Sequence, residues 1–448
     1  MESTSKTAAR ETKSMLLNMG PSHPAMHGVI RLITELEGEK VIKIDAEIGY
    51  LHRAFEKSCE ESSWTQVMPY TDRLNYVSPL INNFGYCAAV EKLLAIEITE
   101  RCKYIRVIMS EVSRITDHLT CIAASAMELG ALTAFLYLMK AREYLYEIVE
   151  QVTGARLTVS YGRIGGVKAD LPAGFDANLR NALKQTEREL LEVDKLLTKN
   201  RIWIDRTRDV GVLTKENAIT YAITGPLARA AGIHYDVRKA FPYFVYDRMD
   251  FDVPLGERGD NYDRYLVRME EMRQSIRIIR QSLKELPGGP IVVDAKGNVM
   301  ASFDLVDEAK LGHTSGLIDI AGTVEPTLEG TEKRYQQRIA PPDRKVVLPS
   351  KEDTYGNIEG LMNHFKLIMD DHGMRPPAGE AYFPVEGANG ELGFYVVSDG
   401  KDRPYRVRCR PPCFFNMAGL HTMLEGYMVA DIIATFGSIN MIAGELDR

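Results

Sequence analysis

The sequence predicts an α+β fold: a mainly helical core built as a bundle of long helices, with small antiparallel β elements near its N- and C-terminal ends. Three observations predict it. Apolar residues alternate with charged ones between Ile30 and Ile48, and β-type patterning returns from Ala381, as expected of half-buried strands. Between these regions, apolar residues recur at three- and four-residue steps, the period of an amphipathic helix. Hydrophobic residues make up 45% of the 448 positions, the usual proportion for a chain that buries a sizeable core.

Residues 1–15 begin "MESTSKTAARETK", without an apolar run, and read as a disordered polar tail and not a signal peptide. Residues 16–50 form an N-terminal loop and β-hairpin unit. Ile30, Leu32 and Leu36 alternate with Arg31, Glu35 and Glu37. Beyond "EGE", Ile42, Ile44, Ala46 and Ile48 alternate with Lys43, Asp45 and Glu47, giving a hairpin with one buried face. At its entrance lies "GPSHPAMHG", Gly20 to Gly28, which carries His23 and His27. Pro24 prevents an undisturbed helical turn between the two histidines. Their spacing therefore does not place two imidazoles on one helix face as a zinc site would. From these residues alone, metal ligand, proton donor and loop-shaping residue all stay open.

Residues 51–290 read as the helical bundle. The stretch from Glu111 to about Val152 runs without proline and stops at Gly154, a natural helix terminator. A helix over about 176–199 carries Leu179, Leu183, Leu190 and Leu197. Another over about 263–286 carries Met269, Met272, Ile276, Ile279 and Leu283 and ends at "PGGP". Residues 121–139 approach the length of a membrane span. Glu128 interrupts them, however, and a carboxylate is costly at the centre of a bilayer. This segment reads as a helix buried in a soluble core. "GRIGG", 162–166, lacks the lysine of a P-loop and reads as a tight backbone bend.

Residues 291–350 form an insertion-like segment, with a strand-like "IVVDAKGNVMASFDLV" followed by polar sequence. Residues 351–448 are the C-terminal α/β part that completes the core. "AYFPVEGANGELGFYVVSDG" reads as a hairpin, "YRVRCR" puts Arg406, Arg408 and Arg410 on one strand face, and about 418–436 is helical.

The net charge of −7 argues against nucleic acid as a partner, and against charge-driven binding to an anionic membrane. The cysteines, at 59, 87, 102, 121, 409 and 413, include no CxxC pair. Structural zinc and iron–sulfur sites use clustered thiolates, so neither is expected in this chain, and free thiols suit a reducing compartment. GxGxxG, Walker, GxSxG and HExxH motifs are absent.

"NMGPSHPAMHGVIRL", "IGYLHRAFEK", "MPYTDRLNYV", "YGRIGGVKADLP", "GPLARAAG" and "RPPCFFN…GELDR" occur in this order. Together they resemble the quinone-site (D-type) family of respiratory complex I, the proton-pumping NADH:quinone oxidoreductase. The resemblance covers about residues 16–448, with 291–350 least typical. It implies a core like that of the large subunit of nickel–iron hydrogenases. Those proteins hold their metals through an early and a late CxxC pair; here both pairs are missing, so no metal is implied.

For the site, the resemblance implies that His27 and Tyr76 meet the quinone headgroup. The family has an aspartate beside that histidine within a "DxGA" stretch. Here "MELGAL" puts Glu128 at that position, keeping the charge and adding a methylene. His27, Tyr76 and Glu128 are thus the implied catalytic set, and His23 shapes the loop. Quinone is the implied substrate, with no cofactor bound by this chain alone. Electrons would come from a four-iron four-sulfur cluster in the adjacent B-type subunit. The C-type subunit and the membrane-embedded H-type subunit are the other implied partners. The implied location is peripheral, on the cytoplasmic side of the cell inner membrane, with activity only within the multisubunit complex.

Quinone reduction explains these residue types. Two electrons and two protons are added while charge develops on the carbonyl oxygens, and donors aimed there stabilise it and supply protons. A tyrosine, with an unperturbed pKa of about 10, stays protonated at neutral pH, and histidine sits near about 6.5. A neighbouring carboxylate favours the imidazolium, and burial opposes it. The alternative is a structural or catalytic large subunit of a related membrane-bound hydrogenase-type complex without its own metal centre. The presence of both His27 and Tyr76 speaks against a purely structural role.

Overall fold

The computed structural model describes residues 14–26, 28–293, 344–369 and 372–448. His27, the strand-like run from 294 and most of the insertion-like segment lie outside the described residues.

Strands β1 (Ser14–Met19), β2 (Arg31–Glu37) and β3 (Lys40–Glu47) form an antiparallel sheet in that order. Ser14 and Met15, expected in the polar tail, already pair with Glu37 and Leu36. The register of β2 against β3 shifts between Glu35 and Leu36, so that Leu36 faces Val41 while Thr34 faces Ile44. This irregularity corrects the simple alternation: Val41 and Ile44 are buried, whereas Ile42 is 43% exposed.

The bundle comprises α1 (Pro79–Leu93), α2 (Glu100–Glu128), α3 (Leu132–Thr153), α4 (Phe175–Leu197) and α5 (Asn261–Glu285). Thr99 caps α2 by accepting from the Cys102 N–H at 3.3 Å. The helix is then buried almost all round as far as Ala126, against α1, α3 and α5. The proline-free stretch 111–152 is not one helix. It breaks at Leu129–Ala131, where Gly130 adopts φ +86°, and Leu132 and Leu136 beyond the break are more than half exposed. Gly154, at φ +82°, closes α3 as its position predicts. The expected bend at 162–166 is a two-strand hairpin, β4 (Gly162–Arg163) and β5 (Gly166–Val167).

Ionic groups fill the centre of the bundle. Glu111 accepts from Arg114 and Arg238 at 3.2 Å, from the Tyr246 hydroxyl at 2.7 Å and from the Ser275 hydroxyl at 2.6 Å. Burial opposes its ionisation, but Arg114 and Arg238, helped by the two hydroxyls, outweigh burial and hold its pKa down to about 2. Arg229 joins Glu271 at 2.7 Å and Glu386 at 2.8 Å, and His118 joins Glu271 at 2.8 Å.

The C-terminal part supplies α6 (Ile358–Ile368) and an antiparallel sheet, β6 (Gly379–Gly387), β7 (Gly390–Ser398) and β8 (Arg406–Arg410). This sheet packs on α1, where Gly85 leaves room: a Cβ there would stand 2.9 Å from Val385. Helices α7 (Pro412–Ala418), α8 (Val429–Ile439) and α9 (Ala443–Asp447) follow. The stretch 418–436 is interrupted, because its middle pairs with β3: Val41 donates to the Tyr427 carbonyl and Gly426 donates to the Val41 carbonyl, both at 2.8 Å.

Candidate functional site

Tyr76 stands in the short loop that enters α1, and the loop is clamped from below by Asp117 in the middle of α2. Asn75 is the hinge of the clamp. Its Oδ1 accepts from the Val77 and Ser78 amides at 3.2 and 3.3 Å, and its Nδ2 donates to Asp117 at 2.8 Å. The Ser78 hydroxyl donates to the same carboxylate at 2.7 Å, and Asn440 donates to its other oxygen at 2.8 Å. Asn75, Ser78, Asp117 and Asn440 are all buried, yet Tyr76 itself is 38% exposed. Loss of water around the phenol raises its pKa, and the nearby Asp117 and Cys413 add to the rise. The phenol therefore keeps its proton at neutral pH, on a loop whose neighbours Asn75 and Ser78 are held by buried hydrogen bonds.

The C-terminal segment forms the floor of this region. A Cβ at Gly444 would meet the Arg73 and Leu74 carbonyls at 2.6 and 2.8 Å, so the segment lies directly on the start of the Tyr76 loop. A Cβ at Gly28 would meet the Ala443 Cβ at 2.9 Å. The residue after His27 therefore touches the same segment. Next along it, Glu445 is buried and accepts from the Cys413 amide at 3.2 Å.

Glu128 occupies the last turn of α2, half-buried against α8, where a Cβ at Gly437 would stand 3.5 Å from its Oε2. It lies about 16 Å along the helix axis from Asp117 at 1.5 Å per residue, and so away from the clamp beneath Tyr76. The turn Pro24–Met26, which leads into His27, also contacts α8. Hence α8 links Glu128 to the histidine loop. His23 does what a loop-shaping residue does: its Nδ1 accepts from the Ala25 amide at 3.2 Å and its carbonyl accepts from Met26 at 3.0 Å.

A cavity of 360 Å³ is lined by His52, Glu56, Arg406, Phe414, Asp447 and Arg448, and neither Tyr76 nor Glu128 lines it. Among the described residues no three His, Cys, Asp or Glu side chains converge as a metal-ligand set. All six cysteines are buried and free, and burial raises every one of the thiol pKa values, keeping them in the thiol form.

Asp117, Asn440, Cys413 and Glu445 do not stand out in the sequence as site residues. Asp117 has one signal, a carboxylate inside an otherwise well-buried helix. Cys413 and Glu445 lie within "RPPCFFN" and "GELDR", which serve in the sequence only as marks of resemblance.

Comparison with known proteins matches residues 128–448 to the family model of the respiratory-chain NADH dehydrogenase 49 kDa subunit. The chain is 50% identical over 438 residues to the D subunit of NADH-quinone oxidoreductase from Myxococcus xanthus (strain DK1622), covering 98% of this chain and 94% of the relative. It is 48% identical over 434 residues to the D subunit of the Pelobacter propionicus enzyme, covering 97% and 95%. It is also 47% identical over 436 residues to the combined C/D subunit of NADH-quinone oxidoreductase from Bdellovibrio bacteriovorus, covering 97% of this chain and 69% of that longer relative.

Proposed function

The chain belongs to the family of the respiratory-chain NADH dehydrogenase 49 kDa subunit, and from that membership we propose that Tyr76 and His27 are the proton donors to a quinone headgroup. A member of this family is a component of a multisubunit NADH-quinone oxidoreductase, and quinone is the substrate of that enzyme. The observation that carries the assignment is the loop of Tyr76. Its base is fixed by two buried hydrogen bonds to Asp117, to which Asn440 also donates, while Tyr76 itself is left partly open and the start of the loop rests on the segment that also touches Gly28.

An open phenol on a fixed base suits a pocket whose remaining wall comes from a neighbouring protein. The B-type subunit fits that place, bringing electrons from its four-iron four-sulfur cluster. A C-type partner is supported by the relative in which C and D share one chain. The exposed Met127, Leu132 and Leu136, next to Glu128, suit contact with the membrane-embedded H-type subunit. Among the described residues no helix is long and apolar enough to cross a membrane, in keeping with a peripheral subunit, which we place on the cytoplasmic side of the inner membrane.

Donors to a developing oxyanion act mainly on the reduced state, so their loss slows turnover more than it weakens binding. Tyr76→Phe and His27→Ala are expected to assemble and to allow normal reduction of the upstream iron–sulfur cluster by NADH. Turnover with a short-chain quinone should fall at least ~10-fold, which requires about 1.4 kcal/mol. Wild-type turnover in both assembled variants would defeat the assignment.

A further inference from the structure

We propose that Glu445 holds a proton for the headgroup site and passes it toward Tyr76, acting as a positioning residue that does not itself touch quinone. The proposal rests on the headgroup reading above and extends it one layer inward.

Glu445 is 2% exposed, on the short helix α9. Its contacts are neutral: the Cys413 amide donates at 3.2 Å, and the Cys413 thiol and Asn389 are its other hydrogen-bonding neighbours. Among the described residues no cation pairs with it. A carboxyl taken out of water without a cation keeps its proton. The groups facing it from the surrounding elements add no compensating charge. Asp117 on α2 is a second carboxylate, and Cys413 on α7 and Cys409 on β8 are thiols. The guanidinium of Arg53 spends its Nη2 on the Arg73 and Gly444 carbonyls at 2.6 and 3.3 Å, and that of Arg448 pairs with Glu56 at 3.4 Å. Asp447 on the same helix is turned to the amides of Gly49 and Leu51. Burial, with the charge of Asp117 added, pushes the Glu445 pKa up to about 7.

A polar network runs from this carboxyl to Asp117, the residue that pins the base of the Tyr76 loop. Asn389 donates to the Cys413 sulfur at 3.4 Å, and Asn440 donates both to Asn389 at 2.5 Å and to Asp117 at 2.8 Å. Cys413 and Asp117 are the two ionisable neighbours that act on Tyr76. Quinone takes two electrons from the donor cluster and two protons to become quinol. One proton comes from His27 and the other from the Tyr76 hydroxyl, leaving a phenolate. The Glu445 carboxyl releases its proton, which restores the phenol and leaves a carboxylate, and solvent then reloads Glu445.

The test uses the assembled oxidoreductase as wild type, Glu445→Gln and Tyr76→Phe. Reduced-minus-oxidised infrared spectra in H₂O and D₂O are recorded alongside quinone turnover against pH. The expected wild-type spectrum has a deuterium-sensitive carboxylic-acid carbonyl band that is absent in Glu445→Gln. Wild-type turnover should fall as pH rises through about 7, where the store empties. Glu445→Gln should be roughly 10-fold slow at pH 6 and flat across that window. A band that persists in Glu445→Gln, or a wild-type pH profile in that variant, overturns the proposal. A slow Tyr76→Phe beside an unaltered Glu445→Gln spectrum sinks this inference alone. Wild-type turnover in Tyr76→Phe sinks the headgroup reading with it.

Discussion

A glutamate at 128 reaches one methylene further than the aspartate the resemblance leads one to expect, and its Oε2 lies against Gly437, where even a Cβ would stand at an ordinary contact distance of 3.5 Å. The carboxylate sits at the end of α2 against α8, and the turn that precedes His27 rests on α8 as well. The proposed coupling to the His27 imidazole would therefore run across one helix and not along the chain. Coupled groups titrate as a pair, so altering one moves the apparent pKa of the other. Glu128→Gln conserves volume and should leave assembly intact. Quinone reduction should drop several-fold, with the acid-to-neutral limb of the pH–rate profile displaced toward lower pH, because the negative charge that favours the imidazolium is gone. A full rate with an unmoved profile would reduce Glu128 to a packing residue.

At the scale of elements, α2 does two jobs: near its middle Asp117 fixes the Tyr76 loop, and nearly two turns earlier Glu111 anchors the buried arginines. Removing one partner from a buried ionic cluster costs about 3–5 kcal/mol, because the remaining charges stay buried without compensation. Glu111→Gln should destabilise the chain by that order at pH 7. The pH dependence has a definite sign. Because the folded pKa of Glu111, about 2, is below its ordinary 4.5, its contribution is fully present above pH 4.5 and is lost as pH falls through 2. Denaturant unfolding should therefore show the wild-type advantage over Glu111→Gln shrinking between pH 4.5 and 2, and a constant gap would contradict the ionised cluster. Helices α4 and α5 were legible in the sequence because a bundle helix writes its buried stripe into its spacing, and the end of α3 was legible through Gly154. The break at Gly130 was not, since glycine within an apolar run gives no period of its own. Nor was the Asp117 clamp, whose partners at 75, 78 and 440 are joined only by the fold. The register shift in β2–β3 was equally silent, because a bulge exchanges faces without changing composition.

At the scale of the whole molecule, residues 443–447 close on the N-terminal part of the chain, and this closure braces the start of the Tyr76 loop and the residue after His27. Asp447 accepts from the Gly49 amide at 2.9 Å and the Leu51 amide at 2.7 Å, and its own carbonyl meets His52 Nδ1 at 2.7 Å, across sequence separations of 395 to 398 residues. The segment 426–429 is laced to β3 in the same way, and Gly444 and Ala443 rest on the Tyr76 loop and on Gly28. The floor of the candidate site is thus supplied by residues 443 and 444. Asp447→Ala removes a carboxylate that accepts two charge-assisted bonds, each contributing about 1.5–3 kcal/mol. Relaxation and water entering beside the half-exposed Leu51 will recover part of that, so a loss of about 3 kcal/mol is expected. Asp447→Asn, which keeps one acceptor oxygen, should lose roughly half as much. Hydrogen exchange separates this from a general weakening. In Asp447→Ala the amides of Gly49 and Leu51 should exchange much faster, while those of α5, held by the bundle, should change only by the global loss of stability. If the Gly49 and Leu51 amides exchange as slowly as in the wild type, the C-terminal helix does not fasten the N-terminal loop, and the floor beneath Tyr76 must be held by Asp117 alone.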